Sequence, residues 1–104
     1  MTVAELKARI DAGEIDNGTL TVLDVREIRE FHTGHVPGAI NIPMALIPLR
    51  VHELRRSSEI AVICEAGGRS SQSAAWLEQN GYSAASVTGG TGYWRSSGYD
   101  IVND

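Results

Sequence analysis

Ile60-Ala61-Val62-Ile63 is an uninterrupted apolar run, mostly β-branched, with no polar position inside it. A strand with one wet face alternates apolar and polar residues, whereas one that is apolar throughout needs cover on both faces. Its natural place is a buried parallel strand in a layered α/β sheet. Ser70 to Asn80 follows with Ala74 and Leu77 at helical spacing and ends at Gly81, so the stretch reads as strand, loop, helix. The loop is Cys64-Glu65-Ala66-Gly67-Gly68-Arg69, and it holds the only cysteine of the chain.

The remaining elements repeat this order. Thr2 and Glu5 have capping-box spacing, and Val3, Leu6 and Ile10 then share one helical face up to Gly13. Leu20 to Val25 reads as a strand that delivers Asp24 and Arg26 at its C-terminal end, the edge where open parallel sheets bind ligands. Glu27 to His32 reads as a short helix, Ala39 to Ile42 as a brief strand, and Pro48 to Arg55 as helical with Leu49 and Leu54 inward. Ser83 to Val87 is the last strand, and Gly89-Gly90-Thr91-Gly92 opens a closing helix through Trp94 to Gly98. Helices alternating with apolar strands imply βα units and a mostly parallel sheet with helices on both faces.

With 104 residues, 42% of them apolar, the chain has material for one core, and residues 1–104 are expected to form a single domain. A formal charge of -4 and a pI near 5.3 argue against nucleic acid as a partner. A lone cysteine allows no internal disulfide and suits a reducing compartment. The N-terminus is acidic and helix-forming where a secretion signal is basic and then apolar, and no segment reaches the ~20 apolar residues of a membrane span. The expectation is a cytoplasmic protein with no membrane partner.

Cys64 stands where a strand stops and a helix begins, beside unpaired backbone N–H groups that favour negative charge. Gly67 and Gly68 permit the positive φ that folds amides inward, and Arg69 adds a permanent cation. Together they predict a thiol with lowered pKa facing a small anion-binding bowl. An inert core cysteine has no need of such neighbours. Other candidates are weaker: His32 and His35 straddle Gly34 and read as loop histidines, so no metal site is expected. Gly89 to Gly92 lacks the lysine of a phosphate-binding P-loop and reads as a tight turn, and Trp76 and Trp94 as packing residues.

Three separated stretches resemble the rhodanese-like sulfurtransferases. Val22-Leu23-Asp24-Val25-Arg26-Glu27, with Phe31 and Gly34-His35-Val36-Pro37-Gly38-Ala39-Ile40-Asn41-Ile42-Pro43, is similar to the N-terminal signature of that family. Cys64-Glu65-Ala66-Gly67-Gly68-Arg69-Ser70 resembles its active-site loop, and Val87-Thr88-Gly89-Gly90 with Trp94 its C-terminal signature. The resemblance implies a five-stranded sheet and transfer of sulfane sulfur through a cysteine persulfide, with no cofactor. It implies that Cys64 is the nucleophile, that Glu65, Ala66, Gly67, Gly68, Arg69 and Ser70 line the substrate cradle with Arg69 on an anionic donor, and that Asp24 and Arg26 brace the site. Partners would be a small anionic or persulfide sulfur donor, such as thiosulfate, and a thiol, a protein thiol or cyanide as acceptor.

Two other readings compete. Phosphatases and arsenate reductases also set a cysteine in an anion-binding loop closed by arginine, but protein tyrosine phosphatases place five residues between the two where this chain has four, and Ile63 stands where they carry histidine. A non-catalytic sensing or docking module would keep the fold, and such members usually lose the cysteine. Within the enzyme reading Glu65 is the departure: a carboxylate next to the nucleophile is expected to repel a dianionic donor, unless it points away into solvent.

Overall fold

A computed structural model describes residues 1–104. The sequence resolves into α1 (Val3–Asp11), β1 (Leu20–Asp24), α2 (Ile28–His32), β2 (Ile40–Asn41), α3 (Ile47–Arg50), β3 (Glu59–Ile63), α4 (Gly68–Gln79), β4 (Ala84–Ser86) and α5 (Gly90–Ser96). Single 3-10 turns, Met44–Leu46 and Val51–Glu53, flank α3. The capping box that opens α1 is formed: Glu5 donates its amide to Thr2 Oγ1 and its carboxylate accepts from the Thr2 amide, each at 3.0 Å.

The four strands are parallel and lie in the order β2-β1-β3-β4. This is the number read from the apolar runs, and it corrects the five strands that the family resemblance implied. The only other pairing is an antiparallel bridge between His35 and Val102, one residue on each side, too short to count as a strand. From β1 the chain first steps outward to β2, then returns across β1 to β3 and continues outward to β4. The loops after β1 and β3 therefore leave in opposite directions and open a crevice at the C-terminal edge, the position where parallel sheets bind ligands. Asp24 and Ile63 are register partners at that edge, so Arg26 and Cys64 emerge side by side.

The apolar β3 has a direct explanation. Ile60, Val62 and Cys64 enter a core with Leu23, Val25, Ile47, Ala74, Leu77 and Tyr82, while Ala61 and Ile63 enter a second core with Val3, Leu6, Leu20, Val22 and Trp94. The sheet is thus buried on both faces, α3 and α4 covering one and α1 and α5 the other, and the central run Ile60 to Ile63 has no position left for a polar residue. Trp94 is a packing residue, as expected, and its Nε1 donates to the Asp100 carbonyl at 2.8 Å.

The 44–53 segment departs from expectation. Leu49 is 76% exposed, and Ile47 takes the buried position together with Leu54. The continuous helix from Pro48 breaks into three short turns, which changes the register of the inward residues. No helix is long and apolar enough to cross a membrane.

Candidate active site

Cys64 follows β3 directly and its side chain is buried. The backbone then curls around the sulfur: the amides of Gly67 and Ser70 lie 3.1 Å and 3.3 Å from Sγ, and the Ser70 hydroxyl lies 3.4 Å away. Gly67 makes the curl possible, with φ +123° at the N-cap of α4. Gly68 does not share this role, contrary to the sequence reading. Its φ is not positive and a Cβ there would meet nothing within 4 Å. Burial pushes the Cys64 thiol up, but the Ser70 hydroxyl and the amides of Ser70, Gly67 and Ala66 outweigh it and hold the thiol below its ordinary value.

The other side of the loop is set by the second glycine-rich stretch, whose contribution the sequence did not reveal. The amides of Thr91 and Gly92, in the first turn of α5, donate to the carbonyls of Cys64 and Glu65 at 2.8 Å and 3.0 Å. Carbonyls held outward in this way leave the loop N–H groups free to turn toward the sulfur. Gly90 allows the approach: with φ +61°, a Cβ there would stand 2.4 Å from the Cys64 carbonyl oxygen. No side chain fits that gap.

Asp24 and Arg26 form an ion pair behind the loop. Both are buried, and Arg26 donates from Nε and from its terminal nitrogen to the Asp24 carboxylate and also to the Gly34 carbonyl at 2.8 Å. Asn41 Nδ2 donates to the carbonyls of Asp24 and Arg26 and fixes the turn between them. Burial lowers the guanidinium, but the Asp24 carboxylate, with Glu65 and Glu30 adding to it, raises it above its ordinary value, so the charge persists.

The charged rim differs from the sequence reading at two positions. Arg69 is not an open cation above the bowl: its two terminal nitrogens clasp Glu30 of α2 at 2.6 Å and 2.9 Å. The Arg69 guanidinium holds the Glu30 carboxyl down to about 2. Glu65 is neither bare beside the sulfur nor free in solvent. Its carboxylate lies between Arg26 and Arg95, each 3.2 Å away. The sequence offered no signal for either pair, because the partners are 39 and 30 residues apart.

His35 is committed elsewhere, with Nδ1 2.7 Å from the Phe31 carbonyl and its ring stacked on Phe31, while His32 is exposed. No three His, Cys, Asp or Glu side chains gather as metal ligands would. The largest surface concavity, about 620 Å³ beside α2 and residues 41–50, does not include Cys64.

The profile of the rhodanese-like domain matches residues 2–97. The chain belongs to the rhodanese-like family. This rhodanese-like domain is 34% identical over 88 residues to a sulfurtransferase of Allochromatium vinosum, covering 84% of this chain and 82% of that one. It is 34% identical over 82 residues to YrkF of Bacillus subtilis, a candidate sulfur carrier, but spans only 42% of that longer protein and 79% of itself. The crystal structure of a rhodanese-related protein from Thermoplasma volcanium superposes with a TM-score of 0.89 at 34% identity, over 100% of this chain and 97% of the other. The loop after Cys64 curls into the first turn of α4, with Asp24 and Arg26 behind it and the Gly89–Gly92 turn pressed against its outer carbonyls.

Proposed function

We propose that the protein is a sulfurtransferase that carries sulfane sulfur as a persulfide on Cys64. The observation that carries this reading is the convergence of the Gly67 and Ser70 amides and the Ser70 hydroxyl on one sulfur atom. These donors stabilise a thiolate, and afterwards a persulfide anion, without a general base.

In the first step the Cys64 thiolate attacks the sulfane sulfur of the donor. An S–S bond forms on Cys64, and the bond between that sulfur and the rest of the donor breaks, releasing sulfite from thiosulfate or a thiolate from a persulfide. In the second step the acceptor, cyanide or a thiolate, attacks the outer sulfur. The Cys64 thiolate leaves with its electron pair, and thiocyanate or a new persulfide departs. The outer sulfur stands one S–S bond, about 2 Å, beyond Sγ and is the atom that the acceptor attacks.

A phosphatase reading is less favoured by the same geometry. Its arginine must face the oxyanion, and Arg69 is turned onto Glu30. Intact-mass measurement tests the proposal: incubation with thiosulfate, or with glutathione persulfide, is expected to add one sulfur atom, which cyanide then removes. An unchanged mass with both donors would refute it and favour a docking module.

A further inference from the structure

The Ser70 hydroxyl has one proton and three polar neighbours: the Cys64 sulfur at 3.4 Å, the Gly67 carbonyl at 3.1 Å and the Ser86 hydroxyl at 2.8 Å. A carbonyl only accepts, and so does a thiolate. When Ser70 gives its proton to the sulfur, Ser86 is therefore the one of the three that can donate to Ser70. Ser86 closes β4, is half-buried, and has the hydroxyl of exposed Ser71 at 3.5 Å on its outer side.

We propose that Ser86 is a positioning residue for Cys64: by donating to Ser70 it turns the single Ser70 proton onto the sulfur, and the same chain reversed carries the thiol proton outward. In the reversed state the thiol donates to Ser70, Ser70 to Ser86, and Ser86 to Ser71 or water. One proton enters the chain at Sγ as another leaves Ser86 for solvent, which yields the thiolate with each hydroxyl turned round. Ser86 touches neither the sulfur nor a donor and acts through Ser70.

The charged groups around the loop are Arg69 of α4, Asp24 at the end of β1 and Arg26 just beyond it, Glu30 of α2, Glu65 within the loop and Arg95 of α5. The Met1 ammonium donates to the Ser86 carbonyl at 3.1 Å. Substituting the Ser86 side chain leaves all of them in place, so a change in Cys64 ionisation reports on the hydroxyl alone. This role rests on Cys64 acting as the thiolate proposed above, but it can be read with no sulfur donor present, so its failure would leave sulfur transfer standing.

The test is the rate of Cys64 alkylation by iodoacetamide against pH. Ser86→Ala is expected to move the midpoint up by roughly half a unit to one unit, the worth of an ordinary hydrogen bond between neutral groups such as the one Ser86 gives to Ser70. Ser86→Thr, which keeps the hydroxyl and suits a strand, is expected to restore the wild-type profile. In a Ser70→Ala background, Ser86→Ala should add nothing, because the relay is already cut. A Ser86→Ala profile that superimposes on wild type would overturn the proposal. So would a shift that persists in the Ser70→Ala background, or one that Ser86→Thr reproduces in full.

Discussion

Removing the Glu65 carboxylate changes the field over the sulfur by one unit charge, whatever its partners. With Arg26 and Arg95 each 3.2 Å from it and 42% of its side chain exposed, it works in a well-screened place, so the high end of the dielectric range applies. At about 6 Å from a bound donor and an effective dielectric of ~80, each donor charge costs about 0.7 kcal/mol. A dianion such as thiosulfate is then handicapped by roughly 1.4 kcal/mol, or about tenfold in kcat/KM, relative to an uncharged donor. Glu65→Gln should recover most of that factor. Because the substitution also loosens the tie to Arg26 and Arg95, rates with all donors can fall together, and the quantity to measure is the ratio of kcat/KM for thiosulfate to that for an uncharged organic persulfide. The ratio should rise about tenfold at low ionic strength and shrink as salt is added. A ratio that stays within twofold of wild type at low salt would refute the reasoning. Glu65→Lys, the stronger change on charge counting alone, would set a third cation against two arginines and is a poorer probe.

Three further outcomes follow from the geometry. Cys64→Ser should gain no sulfur by mass and show no turnover, with its circular dichroism unchanged, since a serine hydroxyl does not ionise near neutral pH. Gly90→Ala should lose about 2 to 4 kcal/mol in urea unfolding, because positive φ and a Cβ 2.4 Å from the Cys64 carbonyl both oppose it. A loss below 1 kcal/mol would mean that the α5 contact yields. Glu30 is held at about 2 against an ordinary 4.5, so its pairing with Arg69 stabilises the fold above about pH 4.5 and that contribution fades as pH falls toward 2. Glu30→Gln should accordingly be less stable than wild type at pH 7, with the gap closing in acid. A gap independent of pH would assign the loss to something other than the ion pair.

What could be read along the chain was what depends on near neighbours. The apolar β3 announced a sheet covered on both faces, Thr2 and Glu5 announced the start of α1, and Cys64 beside Gly67 announced a curled loop. Each of these is decided within a few residues by backbone sterics or periodicity. The directions of Arg69 and Glu65 are decided instead by Glu30, Arg26 and Arg95, which only the folded sheet brings near. Gly90 was legible as a turn residue but not as the gap through which α5 reaches the Cys64 carbonyl. Leu49 failed for another reason: three consecutive short turns have no common period, so helical spacing assigned it to the wrong face.

The Glu30 carboxylate holds two structures with one oxygen. Its Oε1 accepts from the Glu27 amide, closing the first turn of α2, and also from Arg69 in the first turn of α4. Neither turn can fray without disturbing the acceptor of the other. The start of α2 and the rim of the sulfur loop should therefore open as one cooperative unit, and amide hydrogen exchange at Glu27 and in the first turn of α4 should slow or quicken in step.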